Sequence, residues 1–407
     1  MGTQSACIGR GVGMDTGVGR RIAYWRELRG LTQADFGRLM GQSRRWVQDL
    51  EGGQRQSDPR LSVLARAAEV LRIPLERLVA DTANSRPAAA LPPAVAALAD
   101  SLHAPASGTV VRIAELRRRV EYCYQAWASA HYVAAARDLP GVIADARSTA
   151  DESPEGGLLL SRAYQLAASL LFKFGAVAHV PGVLAADRAL AAASACGDPV
   201  MIGSAARRVA RGLIHQQRHT AAAEYATATA NTLRPELEQA GTAGLSTLGM
   251  LYLVAAVGFS NNDRSPQTVA IAEERLAEAG EVAERQGPVR TDVTGFGATN
   301  VALHEVDVLL RLDDAWSAVE AAQRIAPEAV KPLSKERQAR HLVTTARAHA
   351  LTRNREAAVR DLLEAERLAP EEVRRPAVAS FVGELVELVP SPGPELTGLA
   401  RRCGVMA

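Results

Sequence analysis

A helical spacing of apolar residues continues almost unbroken from Val110 to Val389, and this pattern limits the fold more than any other feature of the sequence. The composition agrees with it, because the 407 residues include 77 alanines whereas aromatic residues make up 4%. Alanine favours close-packed helices, and sheets favour β-branched and aromatic side chains. The sequence therefore predicts an all-α protein with room for roughly two to four domains.

Clusters of Gly, Pro, Asn and Asp interrupt the helical pattern, and we interpret them as helix ends. They lie at 139–141, 153–157, 197–199, 235, 261–266, 287–288, 327–332 and 370.

A Pro-, Ala- and Ser-rich segment separates the long helical region from a shorter N-terminal one. We interpret this segment as a linker that contains one short helix over 94–102. The first residues are glycine-rich and lack the apolar stretch of a signal peptide, so we expect a disordered extension. The predicted parts are the extension (1–17), an N-terminal domain (18–80), the linker (81–109), a helical-repeat domain (110–390) and a C-terminal tail (391–407).

Charge is distributed unevenly along the chain, although the net charge is only +2. Residues 18–80 contain twelve arginines and seven acidic residues, whereas residues 81–407 contain 34 basic and 37 acidic residues. This asymmetry indicates a nucleic-acid partner for the N-terminal domain. Of the 47 basic residues only three are lysines, and we attribute the excess of arginine to a GC-rich coding bias.

The cysteines exclude two classes of small stabilised domain. Cys7, Cys123, Cys196 and Cys403 form no CxxC pair, so neither a disulfide framework nor a zinc knuckle is expected. Reduced thiols are typical of a cytoplasmic protein.

One uncharged segment, 239–262, is long enough to cross a membrane. It contains several Gly, Ser and Thr residues and has amphipathic helices on both sides. We therefore predict a buried helix and no membrane association.

The N-terminal domain has the pattern of five short helices, predicted over 18–29, 33–40, 44–51, 60–71 and 74–78. Thr32 and Ser43 are placed to cap the second and third helices, and Gly41 provides the turn between them. A capped second helix after a glycine turn matches helix-turn-helix geometry. The third helix exposes side chains that suit base edges, since Arg reads guanine whereas Gln and Asp can read adenine or cytosine. These side chains are Arg44, Arg45, Gln48 and Asp49.

A longer string of residues resembles the phage-repressor-type (XRE) helix-turn-helix domain over about 60 residues. It comprises Ile22, Leu28-Arg29-Gly30-Leu31-Thr32-Gln33, Gly41-Gln42-Ser43, Val47, Leu50-Glu51-Gly52 and Arg55. The resemblance implies that Arg44, Arg45 and Asp49 read bases. It also implies that Gln33 braces the DNA backbone and the first residue of the third helix, with Ser43 and Arg55 near phosphates.

The predicted DNA-binding set is Thr32, Gln33, Ser43, Arg44, Arg45, Gln48, Asp49 and Arg55. Phe36 and Gly37 depart from the family, which usually has Leu-Ala there. The alternative interpretation is that Arg44 and Arg45 form the solvated face of a small helical domain.

Alanines recur in the long helical region with a spacing that indicates repeats. Ala315, Ala322 and Pro327 return 43 residues later as Ala358, Ala365 and Pro370. Similar but less regular sets precede them: Ala272 and Ala279; Ala223, Ala230 and Pro235; and Ala186 and Ala193. Small residues where two helices cross, followed by a closing proline, resemble the tetratricopeptide repeat, with residues 339–370 the best match. We expect about six helix pairs in a tetratricopeptide-like α-solenoid.

A repressor-like domain before such repeats resembles the RRNPP-type peptide-sensing regulators. The resemblance implies that polar side chains on inner helices hold an effector. Asn300 lies inside a predicted helix, which it disfavours, and with His304 it is our candidate effector site. The alternative is a buried asparagine that joins two helices.

No sequence motif indicates catalysis, a cofactor or a metal. His215 and His219 have the i, i+4 spacing of a zinc site, but Gln216 stands where metalloproteases have Glu, and no third ligand is evident. We therefore expect no enzymatic activity.

Taken together, these patterns predict a cytoplasmic, sequence-specific transcription regulator that binds a double-stranded operator as a homodimer. Its repeat domain would dimerise and sense a peptide, a small molecule or a protein. A repeat scaffold that acts mainly through protein binding is the alternative, and an enzyme with a targeting domain is a third hypothesis.

Overall fold

The computed structural model describes residues 18–52, 59–79, 90–105, 108–262, 264–287, 295–389 and 391–406. Within these ranges the chain is helical and contains no strand, which confirms the predicted all-α class. The predicted extension, residues 1–17, lies outside them. The α-helices are α1 (Val18–Leu28), α2 (Gln33–Met40), α3 (Arg44–Glu51), α4 (Leu61–Leu71), α5 (Glu76–Val79), α6 (Pro93–Ser101), α7 (Ile113–Ala128), α8 (Tyr132–Ala150), α9 (Pro154–Leu171), α10 (His179–Cys196), α11 (Pro199–His215), α12 (His219–Gln239), α13 (Gly241–Ser260), α14 (Pro266–Gln286), α15 (Ala298–Arg311), α16 (Ala315–Arg324), α17 (Pro327–Val330), α18 (Lys335–Leu351), α19 (Arg355–Leu368), α20 (Pro370–Arg374), α21 (Pro376–Leu388) and α22 (Pro394–Arg402).

The first five helices form the N-terminal domain, and their bounds agree closely with those predicted. Ile22, Trp25 and Leu28 of α1 are buried, as their helical spacing requires. The turn after α2 uses Gly41, whose φ of +69° falls in the left-handed region that glycine adopts without strain.

Six pairs of consecutive helices follow: α7/α8, α9/α10, α11/α12, α13/α14, α15/α16 and α18/α19. The first helix of each pair also contacts the first helix of the next pair, and α18 contacts α7. These six first helices therefore form a closed inner ring, and their partners form an outer layer. The number of pairs is the one predicted. Their identity as tetratricopeptide-type repeats stays a prediction.

A buried group of charges joins the two ends of the ring. Lys173 Nζ lies 2.8 Å from Glu336 Oε1 of α18 and 2.6 Å from Glu372 Oε2 of α20. Tyr132 Oη donates a 2.6 Å hydrogen bond to the same Glu372 oxygen, and Lys173 Nζ lies 4.8 Å from the Trp127 ring centre. Burial opposes ionisation of Glu336, but Lys173 and neighbouring arginines outweigh it and hold the pKa below its ordinary value.

The recurring alanines lie where outer helices pack against the ring. Ala223, Ala272, Ala279, Ala358 and Ala365 are fully buried. Without longer side chains at these positions, paired helices approach closely, which agrees with the reason given for their spacing.

Two predicted helix ends are wrong. Pro140 lies inside α8 and Pro235 lies inside α12. A proline removes one backbone hydrogen bond and bends a helix, but it does not end the helix when the following turns are buried. Val142 and Ile143 after Pro140, and Leu237 after Pro235, are such buried residues.

Helices also occur within the predicted linker and tail. In the linker, α6 packs against α8, close to the predicted short helix, and in the tail α22 packs against α19 and α21. The uncharged segment forms α13, an inner helix long and apolar enough to cross a membrane. However, 78% of its most apolar stretch is buried, as in the core of a folded domain. Cys123, Cys196 and Cys403 are free thiols.

Candidate functional site

Helix α3 presents a polar face on the surface of the N-terminal domain. Arg44, Arg45 and Gln48 are exposed on this face, and Asp49 is half-buried beside them. Val47 and Leu50 on the opposite face are buried in the core. Ser43 caps the helix, since its hydroxyl accepts a 3.1 Å hydrogen bond from the Trp46 backbone N–H. Helix α3 is thus fixed to the domain core through its apolar face, and its polar face is accessible from solvent.

A buried ion pair attaches α3 to α1. Arg26 Nε donates to Glu51 Oε1 at 2.6 Å, and Arg26 Nη2 donates to Glu51 Oε2 at 3.0 Å. Gln33 Nε2 also donates to Glu51 Oε2, at 2.9 Å. Arg26 of α1 and the first residue of α2 therefore bind the same carboxylate, that of the last residue of α3, and these contacts join the three helices.

The loop before α2 is stabilised by a capping box. Thr32 Oγ1 accepts from the Asp35 backbone N–H at 3.0 Å, and Asp35 Oδ2 accepts from the Thr32 N–H at 3.4 Å. The hydrogen bonds from Thr32 lower the pKa of the Asp35 carboxyl.

The N-terminal domain contacts the C-terminal helices through α1, α5 and the loop after α1. Tyr24 Oη donates a 2.6 Å hydrogen bond to Glu384 Oε2, and Arg77 Nη2 lies 2.7 Å from Glu387 Oε1. Gly30 has a φ of +75°, and a Cβ atom there would lie 2.8 Å from Arg353 Cζ. The two parts of the protein therefore touch closely, and Arg44, Arg45 and Gln48 of α3 stay exposed.

The ring encloses a cavity of about 1280 Å³. Every inner helix contributes to its wall, and so do α1 and the loop before α2, through residues such as Tyr24, Glu27 and Thr32. On this side the cavity is also lined by the ends of α13, α15 and α18, including Ser260, Arg311 and Leu351. The N-terminal domain thus covers one mouth of the ring.

The cavity wall is strongly basic, with fourteen Arg or Lys side chains and four Asp or Glu. Six arginines on two inner helices, which we call the arginine cluster, are Arg207, Arg208 and Arg211 of α11 and Arg337, Arg340 and Arg347 of α18.

Some of the other cations in the wall are neutralised by carboxylates. Arg264 Nη2 lies 2.7 Å from Asp313 Oδ2, and Arg311 Nε lies 3.1 Å from Asp307 Oδ2. In contrast, none of the three arginines of α11 has an ion pair with a residue that the structure describes, and the buried Nε of Arg208 has no hydrogen-bond partner there.

The pKa values of three members of the arginine cluster reflect this imbalance, whereas Glu336 and Asp307 outweigh burial and raise the pKa of Arg340. Burial, followed by repulsion from Arg208 and Arg211, lowers the pKa of Arg207 well below its ordinary value. Burial and repulsion from Arg340 lower the pKa of Arg211 to about 9, and burial and Arg340 likewise lower that of Arg337 to about 10. Because these groups destabilise one another's charge, an anion between them would be favourable.

The rest of the wall is less polar. Met250, Val254 and Val257 of α13 line one side. Phe172 stacks on His215 with ring centres 4.4 Å apart, and His179 lies 4.7 Å from His215. Burial lowers the pKa of His215 well below its ordinary value and that of His179 to about 4, so both are neutral at pH 7. The cavity therefore combines a cationic wall with an apolar and aromatic one.

Residues 22–78 match the helix-turn-helix family model HTH_3. Residues 22–78 form an XRE-type helix-turn-helix domain. None of the curated proteins compared with the chain matches it. The match points to a DNA-binding transcription regulator, and it does not extend into the ring.

The predicted DNA-binding residues occupy different places in the helix-turn-helix domain. Arg44, Arg45 and Gln48 are exposed on α3, with Ser43 at its start and Asp49 half-buried. Thr32 and Gln33 take part in the contacts within the domain described above, and Thr32 also lines the cavity. Arg55 lies outside the described residues. The DNA contacts themselves stay predictions.

The two candidate effector residues have different surroundings. Asn300 is buried, accepts a 3.0 Å hydrogen bond from Arg337 Nη1 and lies 3.3 Å from Met250 Sδ. It joins three inner helices. His304 lines the cavity, and its Nδ1 lies 2.8 Å from the Asn300 carbonyl oxygen. Asn300 supports the position of Arg337, and of the two residues only His304 is part of the wall.

Sequence reasoning did not find the arginine cluster, because the excess of arginine was attributed to coding bias. A signal was present, since Arg207, Arg208 and Arg211, spaced i, i+1 and i+4, place several guanidinium groups on one face of a helix. Among the described residues, no group of three His, Cys, Asp or Glu side chains is arranged to hold a metal ion.

Proposed function

We propose that this protein is a sequence-specific transcription regulator that binds a two-fold symmetric operator as a homodimer and senses a signal in the ring cavity. It would act in the cytoplasm, at the nucleoid when bound to DNA. Helix α1 carries the proposal, because one face of it lines the cavity while Arg26 on the same helix holds α3.

The contacts support a direct route from the cavity to α3. A molecule in the cavity would touch Tyr24 or Glu27, which lie one turn or less from Arg26. Any shift of α1 would move Glu51 and therefore the end of α3. In a dimer, such a shift changes the distance between two recognition helices, which must match half-sites about 34 Å apart. A ligand alters operator affinity only if it binds the two arrangements unequally.

Selection of binding sites from a genomic DNA library by the full-length protein tests the DNA-binding part. A symmetric motif that is retained at about 0.15 M salt is expected, because base contacts depend less on salt than phosphate contacts do. Retention without sequence preference, lost at this salt concentration, would contradict the proposal.

A double variant identifies the reading helix. Arg44→Ala with Arg45→Ala should weaken operator binding by about 1–3 kcal/mol per base contact, or roughly 5- to 150-fold each, and reduce sequence preference. The matched control is Arg117→Ala with Arg118→Ala, which removes two exposed adjacent arginines of α7. Equal effects of the two double variants would mean that only total charge matters.

A further inference from the structure

We propose that the ring cavity binds a small organic polyanion, with at least two phosphate or carboxylate groups held by the arginine cluster between α11 and α18. The inference rests on the proposed sensing function, because it names the chemical class of the effector.

The balance of charge inside the ring is the first argument. Basic side chains in the wall outnumber acidic ones by ten. Carboxylates behind the wall, those of Glu51 and Glu372, neutralise some of this excess. The three arginines of α11, in contrast, have no carboxylate partner among the described residues. These three arginines are half-buried in the cavity wall. Cations partly removed from water without counter-ions are unfavourable, so a bound anion would compensate their charge. A ligand with a single negative charge would leave most of the charge of the three arginines uncompensated.

The hydrogen-bonding character of the cluster is the second argument. A guanidinium group only donates, and its planar fork matches the paired oxygens of phosphate or carboxylate. Arg208 Nε is a buried donor without a partner in the described part of the chain, and the Arg208 side chain lines the cavity. Ligand oxygens that only accept are therefore the complement of this wall.

The same donors argue against a peptide backbone as the ligand. A peptide offers N–H donors as well as carbonyl acceptors, so an extended peptide needs acceptors from the protein too. The four carboxylates of the wall already pair with basic side chains. The side-chain amides of the wall are only three, Gln165, Gln217 and Asn261, against fourteen cationic side chains. In addition, the contact of α18 with α7 closes the ring, and α1 covers one mouth.

The apolar wall argues for an organic molecule and not a simple inorganic ion. Met250, Val254 and the Phe172 ring lie in the same cavity as the arginines. The volume of about 1280 Å³ is larger than the roughly 300–1,000 Å³ of ordinary small-molecule sites. It can hold a charged part against α11 and α18 together with an uncharged part against α13.

The test is calorimetric titration of the full-length protein, without DNA, at constant ionic strength. The probes are inorganic phosphate, tripolyphosphate, citrate and pentaglutamate. We expect one-site binding of tripolyphosphate or citrate, at least about tenfold tighter than inorganic phosphate, since each added charged hydrogen bond contributes about ten- to hundredfold. Comparison of tripolyphosphate with citrate identifies phosphate or carboxylate as the preferred group.

A cavity variant locates the binding. Arg207→Gln with Arg211→Gln should weaken binding by at least about tenfold, whereas Arg117→Gln with Arg118→Gln on the exposed surface should leave it unchanged. A second measurement uses the unaltered protein, so it does not depend on a variant that folds. Tripolyphosphate should protect Arg207, Arg208 and Arg211 from modification by phenylglyoxal and leave Arg117 reactive, as read by mass spectrometry.

Three results would overturn the inference: no saturable binding of either polyanion, tight binding of pentaglutamate alone, or binding that both double variants retain equally. Because DNA is absent from the titration, these results are distinct from failure of the DNA selection, which would contradict the proposed function and not the polyanion site.

Discussion

Replacement of Lys173 with Met should open the ring, because it removes the cation that Glu336 and Glu372 share. Both carboxylates are almost fully buried, and Lys173 Nζ lies within 2.8 Å of an oxygen of each. Loss of one member of a buried ion pair typically costs about 3–5 kcal/mol, since the remaining charge is left without compensation.

The surroundings place the expected cost at the lower end of this range. Arg375 Nε stays 2.8 Å from Glu372 Oε1, and Arg340 Nη1 stays 3.8 Å from Glu336 Oε1. Each carboxylate therefore keeps one cation, and we expect a loss of about 3 kcal/mol in the free energy of unfolding. With a urea slope of about 3 kcal/mol per M, the midpoint of unfolding falls by about 1 M.

Urea unfolding followed by circular dichroism measures this loss, and Lys331→Met is the matched control. Lys331 lies 2.8 Å from Glu328 Oε1, but both side chains are largely exposed, so its replacement should cost about 0.5 kcal/mol or less. Adding Glu336→Gln to Lys173→Met should restore part of the loss, because it removes a buried charge that only the more distant Arg340 would still balance. Equal midpoint shifts for Lys173→Met and Lys331→Met would refute the conclusion that this charge cluster holds the ring closed.

Three further predictions follow from buried polar groups. Glu51→Gln should destabilise the helix-turn-helix domain by about 3 kcal/mol and weaken operator binding. The control is Glu27→Gln, at a half-exposed partner of Arg26, which should change stability by less than about 1 kcal/mol. Thermal unfolding and DNA titration compare the two variants. Burial lowers the pKa of His179 to about 4. Below about pH 6.5 the unfolded chain therefore binds a proton at this residue that the folded chain does not bind. The free energy of unfolding should fall as the pH decreases from 6.5 towards 4. His179→Gln should reduce this slope by about 1 kcal/mol per pH unit in urea unfolding, and an unchanged slope would assign it to other groups. Asn300→Ala should leave operator binding intact and weaken tripolyphosphate binding through Arg337, so an unchanged dissociation constant would remove Asn300 from the effector site.

The helix-turn-helix domain was predictable because its signals are local. Thr32 and Ser43 form the caps that their positions indicated, and Gly41 takes the left-handed turn between α2 and α3. Each of these signals acts over about three residues, so the sequence alone locates the helix ends. The bond of Gln33 to Glu51 was missed, because it depends on how α2 and α3 pack.

The ring and its cavity were not predictable in the same way. Lys173 is 163 residues from Glu336 and 199 from Glu372, and no local pattern pairs residues so far apart. Periodicity indicates which helical face is buried, but it does not separate a face inside a core from one that lines a cavity. The arginines of α11 lie on such a face, and they form a cationic wall only together with those of α18, three helix pairs later in the chain.

The contacts that close the ring and the like charges inside it have opposite effects on its stability, and for this reason ligand binding should affect the stability of the ring. Lys173 and its two carboxylates hold α18 near α7, while the arginine cluster brings like charges together inside the same ring. An anion that binds only the closed ring stabilises it by RT ln(1 + [L]/Kd), or about 2.7 kcal/mol at a hundredfold excess over Kd. This is close to the loss expected for Lys173→Met, so a saturating polyanion should restore much of the stability of that variant. Because α1 covers the mouth of the ring, the same binding energy is available to change the position of the helix-turn-helix domain.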